Sequence, residues 1–205
     1  NTLTEKEVND GWKLLFDGQT GTGWMNAGKK SFPETGWIIR DGAISVDPAG
    51  GSGGDLVTTE KYRNFELITD FMYQPGANSG IKYFVDIEAD EGKYASIGCE
   101  YQIIDNRLHP DAGAGLAGNR TLASLYDLIA PVNIRDNGAG IWNRASIIVN
   151  DDHVQHWLNG QLTVDYVRGN DEWRKMVAGS KYKAYAGFGE AAEGRILLQA
   201  HGDTV

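Results

Sequence analysis

A single cysteine, Cys99, is all the thiol this 205-residue chain contains, which excludes an internal disulfide framework and any cysteine-rich zinc site. Positive charge is scarce as well: 19 Lys and Arg stand against 28 Asp and Glu, giving a formal charge of −9 and a pI near 4.9. Affinity for nucleic acid rests on basic groups that neutralise phosphates, so nucleic acid is not an expected partner. No run of eighteen or more apolar residues occurs, so no transmembrane helix is expected. The opening NTLTEKEVND lacks the basic and apolar regions of a signal peptide. No low-complexity linker, internal repeat or change of composition divides the chain, and a single domain over 1–205 is expected.

What is abundant is strand-forming sequence. NFELITDFMY (64–73), GIKYFVDI (80–87), ASIGCEYQII (95–104), RASIIVN (144–150), HVQHWL (153–158), QLTVDYV (161–167), KAYAGFG (183–189) and RILLQ (195–199) are rich in β-branched and aromatic residues. Asn150, Asp151 and Asp152 separate two of them, and Asn159-Gly160 is the preferred pair for a type I′ hairpin turn, so 144–167 reads as a three-stranded meander. Two short helices are expected. TEKEVND places Thr4 and Glu7 at capping-box spacing, and NDEWRKMVAGS carries Asn170 as a cap and Gly179 as a stop. With no βαβ rhythm, the expected class is all-β, two antiparallel sheets packed as a sandwich or jelly roll.

Several motifs lead nowhere. GAGLAG (113–118) has G-x-G-x-x-G spacing and precedes TLASLYDLI, a stretch able to be helical. Seven residues part it from the preceding strand, however, so the tight turn of a dinucleotide site is missing. GANSG (76–80) carries its serine one place too late for a hydrolase elbow. His153 and His156, three apart on a strand, point to opposite faces and form no metal pair. His109 and His201 lie in loops with carboxylates nearby. Asn119-Arg120-Thr121 is a glycosylation sequon. The six tryptophans are read mainly as core, though aromatic rings also stack on sugars.

The stretch GCEYQIIDN (98–106) is less ordinary. Alternation puts Glu100, Gln102 and Ile104 on one face and Cys99, Tyr101, Ile103 and Asp105 on the other. Parity alone favours the bland reading, in which Glu100 and Gln102 face water on a one-sided sheet. A concave sheet bearing an acid and an amide would equally suit sugar hydroxyls.

Taken in order, GWKLLFDGQTGTGW (11–24), GWIIRDGAI (36–44), NFELITDF (64–71), NSGIKYF (78–84), CEYQIID (99–105), ASLYDL (123–128), WNRASIIV (142–149), HWLNGQLTVDY (156–166) and GRILLQAHGD (194–203) resemble the 3-keto-disaccharide hydrolase family. That family is a concanavalin-like jelly-roll domain. The resemblance implies a periplasmic or secreted bacterial protein, here as a mature chain, acting on an oligosaccharide or glycoside. It marks Glu100, Gln102 and Asp105 as the family's acid-x-amide-x-x-acid strand and Asn78-Ser79-Gly80 as its polar bend, with Lys82, Tyr126, Gln199 and His201 from neighbouring motifs.

The implied chemistry follows from the substrate. A ketone at C3 acidifies the hydrogen on C2, a base removes it, the C1 substituent leaves by elimination, and hydration completes a net hydrolysis. The resemblance then assigns Glu100 or His201 as base or acid, and Lys82 or a bound divalent metal ion beside the enolate oxygen. The resemblance likewise implies that Asn78, Ser79, Gln102, Asp105, Tyr126 and Gln199 contact substrate. The competing reading is a non-catalytic carbohydrate-binding module on the same fold. A retaining glycosidase needs two carboxyl groups about 5–5.5 Å apart, and the sequence offers no close acidic cluster for one.

Overall fold

The structure is a computed structural model that describes residues 1–88 and 96–205. Its strands are β1 (Trp24–Asn26), β2 (Trp37–Arg40), β3 (Ala43–Val46), β4 (Leu56–Thr58), β5 (Phe65–Phe71), β6 (Asn78–Val85), β7 (Cys99–Ile104), β8 (Asn143–Asn150), β9 (His153–Leu158), β10 (Gln161–Val167) and β11 (Arg195–Leu198). They form a five-stranded sheet ordered β1-β4-β11-β6-β7, a four-stranded sheet ordered β10-β9-β8-β5 and a β2-β3 hairpin, with every pairing antiparallel. The larger sheets face one another as the jelly-roll sandwich that the sequence predicts. Among the described residues no helix is long and apolar enough to cross a membrane.

The four-stranded sheet obeys period two. Ala145, Ile147 and Val149 of β8, and Val154 and Leu158 of β9, are buried, while Arg144, Asn150 and His153 face water. Asn159 and Gly160 both take positive φ, 49° and 77°, as a type I′ turn requires. The predicted meander is therefore present, and His153 and His156 point apart as their spacing demands. Both short helices form where their caps lie. Thr4 and Glu7 close a capping box on α1 (Glu5–Asn9), and Asn170 Oδ1 accepts from Trp173 N at 2.7 Å to start α2 (Asp171–Ala178).

Three readings are corrected. KAYAGFG is no strand: a 3₁₀ turn over Lys181–Ala184 leads into Gly187 and Gly189 at φ 69° and 70°, which breaks an extended run. Phe188 of this segment instead joins a stack, with Tyr182 on one side (centroids 3.9 Å apart) and Trp173 of α2 on the other (6.1 Å). TLASLYDLI is not helical, because Leu125 bridges Tyr101 and the segment lies along the free edge of β7. The strand expected from Ala95 begins at Cys99, and Ala95 itself lies outside the described residues. The sequon asparagine, Asn119, is buried and accepts from Leu116 N at 2.8 Å.

β6 and β7 depart from the one-sided pattern, being buried at every position. Their inner face meets the opposite sheet through Ile81, Tyr83, Cys99, Tyr101 and Ile103. A polar thread crosses this core, where Tyr83 Oη lies 2.8 Å from His156 Nε2 and 2.7 Å from Tyr166 Oη. Phe84 sits at φ 57° in a bulge opposite β11, where the register shifts between Arg195 and Leu197. Gly194 lies against that bulge, and a Cβ there would collide with the Phe84 backbone. The bulge returns Val85 to the outer face, where it packs with Met25, Val57 and Leu197.

Candidate functional site

The outer face of the five-stranded sheet is organised by cross-strand register. Leu197 pairs with both Val57 and Lys82, Lys82 pairs with Glu100, and Tyr126 N donates to the Glu100 carbonyl. One row therefore reads Val57, Leu197, Lys82, Glu100, Tyr126. Two residues along each strand, the same registers align Asp55, Gln199, Gly80, Gln102 and Ser124. Paired residues point to the same side of a sheet. Ten positions from five segments thus share one face, apolar toward Val57 and polar toward Glu100.

Glu100 and Gln102 are 3% and 1% exposed, so the solvent-facing reading of this strand is wrong. Parity assigned the face correctly, but loops cover that face. The 122–129 segment walls it on one side, and Lys181 and Tyr182 lie close enough to share its electrostatics. Glu100 Oε2 lies 3.9 Å from Lys82 Nζ, and Nζ also donates to the Ser96 carbonyl at 3.0 Å. Burial raises the Glu100 pKa above the usual carboxylate value. Lys82, Lys181 and His201 pull it back, and Asp55 adds to the rise. With its amide oriented so that both ends are satisfied, Gln102 donates to Glu100 Oε1 at 3.2 Å and to the Ser79 carbonyl at 3.0 Å, its oxygen toward the Asn78 amide. Gly80 gives the carboxylate its room, because a Cβ there would overlap Glu100 Oε1 and sit 2.9 Å from Cγ.

Of the residues singled out in the sequence, Asn78, Lys82, Glu100, Gln102, Tyr126 and Gln199 share this face, and Gln199 Oε1 is buried with no partner among the described residues. His201 is exposed, yet near enough for its charge to act on Glu100. Ser79 and Asp105 are not brought there. Ser79 has the opposite parity and donates to the Gln199 carbonyl at 2.8 Å. Asp105 accepts from Gly76 N, Arg107 N and Leu108 N, which ties two turns together and outweighs burial to lower its pKa. Its role is to fix the bend that leads into β6.

Sequence reasoning missed Asp55, Ser124 and Lys181. Asp55 Oδ1 accepts from Ala200 N at 2.8 Å, and Ser124 Oγ is buried with no partner among the described residues. Lys181 Nζ rests 3.9 Å from the centroid of the Tyr126 ring and 5.1 Å from that of Tyr182. Tyr126 Oη donates to Asp111 Oδ2 at 2.7 Å, Arg120 bridges Asp111 and Asp127, and Asp127 Oδ2 accepts from Lys181 N at 2.8 Å. This network fixes the wall and the overhanging lysine relative to each other.

Two cavities of about 350 and 410 Å³ open around Tyr185, Gly187 and Phe188, and none of the row residues lines either. A divalent metal ion fits poorly at Glu100. Among the described residues no group of three His, Cys, Asp or Glu could hold one, and the Gln102 amide and the Lys82 ammonium already stand against the carboxylate. The arrangement is instead a buried carboxylate between cationic groups, beside side-chain amides.

Comparison with known proteins extends this picture. A family model, the 3-keto-alpha-glucoside-1,2-lyase-like domain, matches residues 11–205. A 3-keto-disaccharide hydrolase of Bacteroides thetaiotaomicron is 36% identical over 221 residues, which cover 96% of this chain and 76% of that protein. A crystal structure of a candidate glycosyl hydrolase from Parabacteroides distasonis superposes with a TM-score of 0.86 at 30% identity, covering 100% of this chain and 94% of that one. A second from the same organism shares the fold, with a TM-score of 0.62 at 23% identity over 88% of this chain and 93% of the other.

Proposed function

Because the chain belongs to the 3-keto-alpha-glucoside-1,2-lyase-like family, we propose that it cleaves 3-keto-disaccharides or related 3-keto-glycosides by C2 proton abstraction, elimination at C1 and hydration. The coarser statement, a hydrolase acting on glycosides, has the support of the Bacteroides relative and of the Parabacteroides structure at 30% identity. The finer one rests on the site. The observation that carries it is Glu100, a buried carboxylate with raised proton affinity, held beside the Lys82 ammonium on a face lined with amides.

Each element answers a demand of the reaction. A hydrogen on C2 beside a ketone is weakly acidic, and a carboxylate withdrawn from water is a stronger base than one in solvent. As the C2–H bond breaks, negative charge moves to the C3 oxygen, where a fixed ammonium lowers the barrier without reorganising. Asn78, Gln102 and Gln199 offer amide groups to the remaining hydroxyls. His201 stands at the exposed margin of the face. The natural setting proposed is periplasmic or secreted.

The test is sugar release from a panel of 3-keto-disaccharides beside the unoxidised parent sugars, with and without a chelator. Release confined to the keto forms is the expected result, unchanged by chelation and abolished in Glu100→Gln. Binding of sugars without any release would make the protein a carbohydrate-binding module, and full turnover by Glu100→Gln would remove Glu100 from the role of base.

A further inference from the structure

Elimination needs two protons handled: one leaves C2, and one must reach the departing glycosidic oxygen. Glu100 can take the first. Lys82 is ill suited to the second, since it sits in the row as the 3.9 Å ion-pair partner of Glu100 and already donates to the Ser96 carbonyl. Lys181 differs in each respect. It reaches the site from the exposed side, on a 3₁₀ turn anchored by Asp127, and its ammonium lies over the Tyr126 ring. Among the described residues no carboxylate or carbonyl holds its Nζ. Tyr126 is the cross-strand neighbour of Glu100, so Lys181 overhangs the row one place from the carboxylate.

We propose that Lys181 is a catalytic residue of this site: it protonates the departing glycosidic oxygen during elimination and then takes a proton from the water that adds at C1. The proposal rests on the 3-keto-glycoside reading above. Glu100 carboxylate takes the C2 proton, and the C–H electron pair forms the enolate. The enolate collapses to restore the C3 ketone and form the C1=C2 bond, the C1–O pair leaves with the glycosidic oxygen, and that oxygen takes a proton from Lys181. Glu100 is now a carboxylic acid and Lys181 a neutral amine. Hydration runs the sequence backwards with water in place of the alcohol: Lys181 receives the water proton, hydroxide bonds to C1, and Glu100 returns its proton to C2. Both groups end as they began, and only water is consumed. Partial withdrawal from water lowers the lysine's proton affinity, as do Lys82 and Arg120 nearby, while Glu100 and Asp127 raise it, and the net shift is downward. A lysine so placed gives up a proton more readily than one in solvent.

The experiment compares two leaving groups. Wild type, Lys181→Met and Lys181→Arg are each given a 3-keto-disaccharide and a 4-nitrophenyl 3-keto-glucoside, whose phenolate departs without a proton. The expected result is a loss in kcat/KM of about 10²–10⁴-fold on the disaccharide for both variants. The nitrophenyl compound should lose less than about tenfold. It should also yield an enone with ultraviolet absorbance that builds up, because hydration lacks its base. Arginine keeps the charge but does not release a proton, so disaccharide turnover restored in Lys181→Arg would overturn the assignment, as would equal losses on both substrates in folded protein. A wild type inert toward every 3-keto substrate would instead bring down the 3-keto-glycoside reading, a result distinct from failure of the lysine alone.

Discussion

Replacing Gly80 by alanine adds one methyl group where the structure leaves room for none. Gly80 takes an ordinary strand conformation, absent from the positive-φ glycines, so alanine imposes no backbone strain. The new Cβ would sit 2.9 Å from Glu100 Cγ and 3.0 Å from Cδ, and would overlap Oε1, where ordinary contact begins at 3.4 Å. The carboxylate must therefore move by at least about 0.5 Å at its stem and further at its tip. A misplacement of the order of 1 Å in a reacting group costs roughly 10²-fold in rate, or about 2.7 kcal/mol of activation free energy. Overpacking of this kind costs about 1–3 kcal/mol of stability, so the fold survives. The assay is kcat and KM on a 3-keto-disaccharide beside a thermal melt, with Gly113→Ala, where nothing lies within 4 Å, as the control. A folded Gly80→Ala protein with kcat within about threefold of wild type would refute the argument that the Glu100 position sets the rate.

Three further outcomes follow from the same geometry. Lys82→Met leaves Glu100 buried without its nearest cation and should cost about 3–5 kcal/mol. Adding Glu100→Gln should recover most of that loss in denaturant titrations, whereas simple additivity would mean that the 3.9 Å pair does not couple. His156 is fully buried, and burial pushes its pKa down to about 3 from an ordinary 6.5, with the Ala123 and Ser124 carbonyls opposing. Its folded pKa is the lower one, so its stabilisation is complete above about pH 6.5 and is lost as pH falls toward 3, by up to about 1.4 kcal/mol per unit. His156→Gln should flatten melting temperature against pH between 7 and 4, and parallel curves would contradict this. Asn170→Ala removes the cap of α2, with an expected cost of about 1 kcal/mol and a Tm drop of roughly 2–4 °C by calorimetry.

Legibility in the sequence followed the range of the interaction. The meander, its Asn159-Gly160 turn and both helix caps are set by residues within a few positions of one another, and each is where the sequence predicts it. The face shared by Glu100 and Gln102 was likewise readable from alternation. Their burial was not, because the cover comes from 122–129 and 181–182, which carry no period. Asp55 and Gln199 become neighbours only through the pairing of β4 with β11, a contact across more than half the chain. Lys181 escaped notice because it falls between the stretch expected as a helix, which ends at Ser180, and the strand expected over 183–189, whose Phe188 stacks on Trp173 of α2 instead. Asp105 lies off that face and caps a turn, for which its position before Asn106 at a strand end is suited.

The 123–126 segment has one more consequence. Without it, β7 would end the five-stranded sheet with its backbone donors and acceptors free to recruit a strand from another molecule. Ala123 N and Tyr126 N instead donate to the carbonyls of Gln102 and Glu100, while Gln102 N donates to Ser124 O. The ribbon that walls the site is thus also a guard against aggregation, and any change that frees it to admit a bulkier sugar would uncover a sticky edge at the same time.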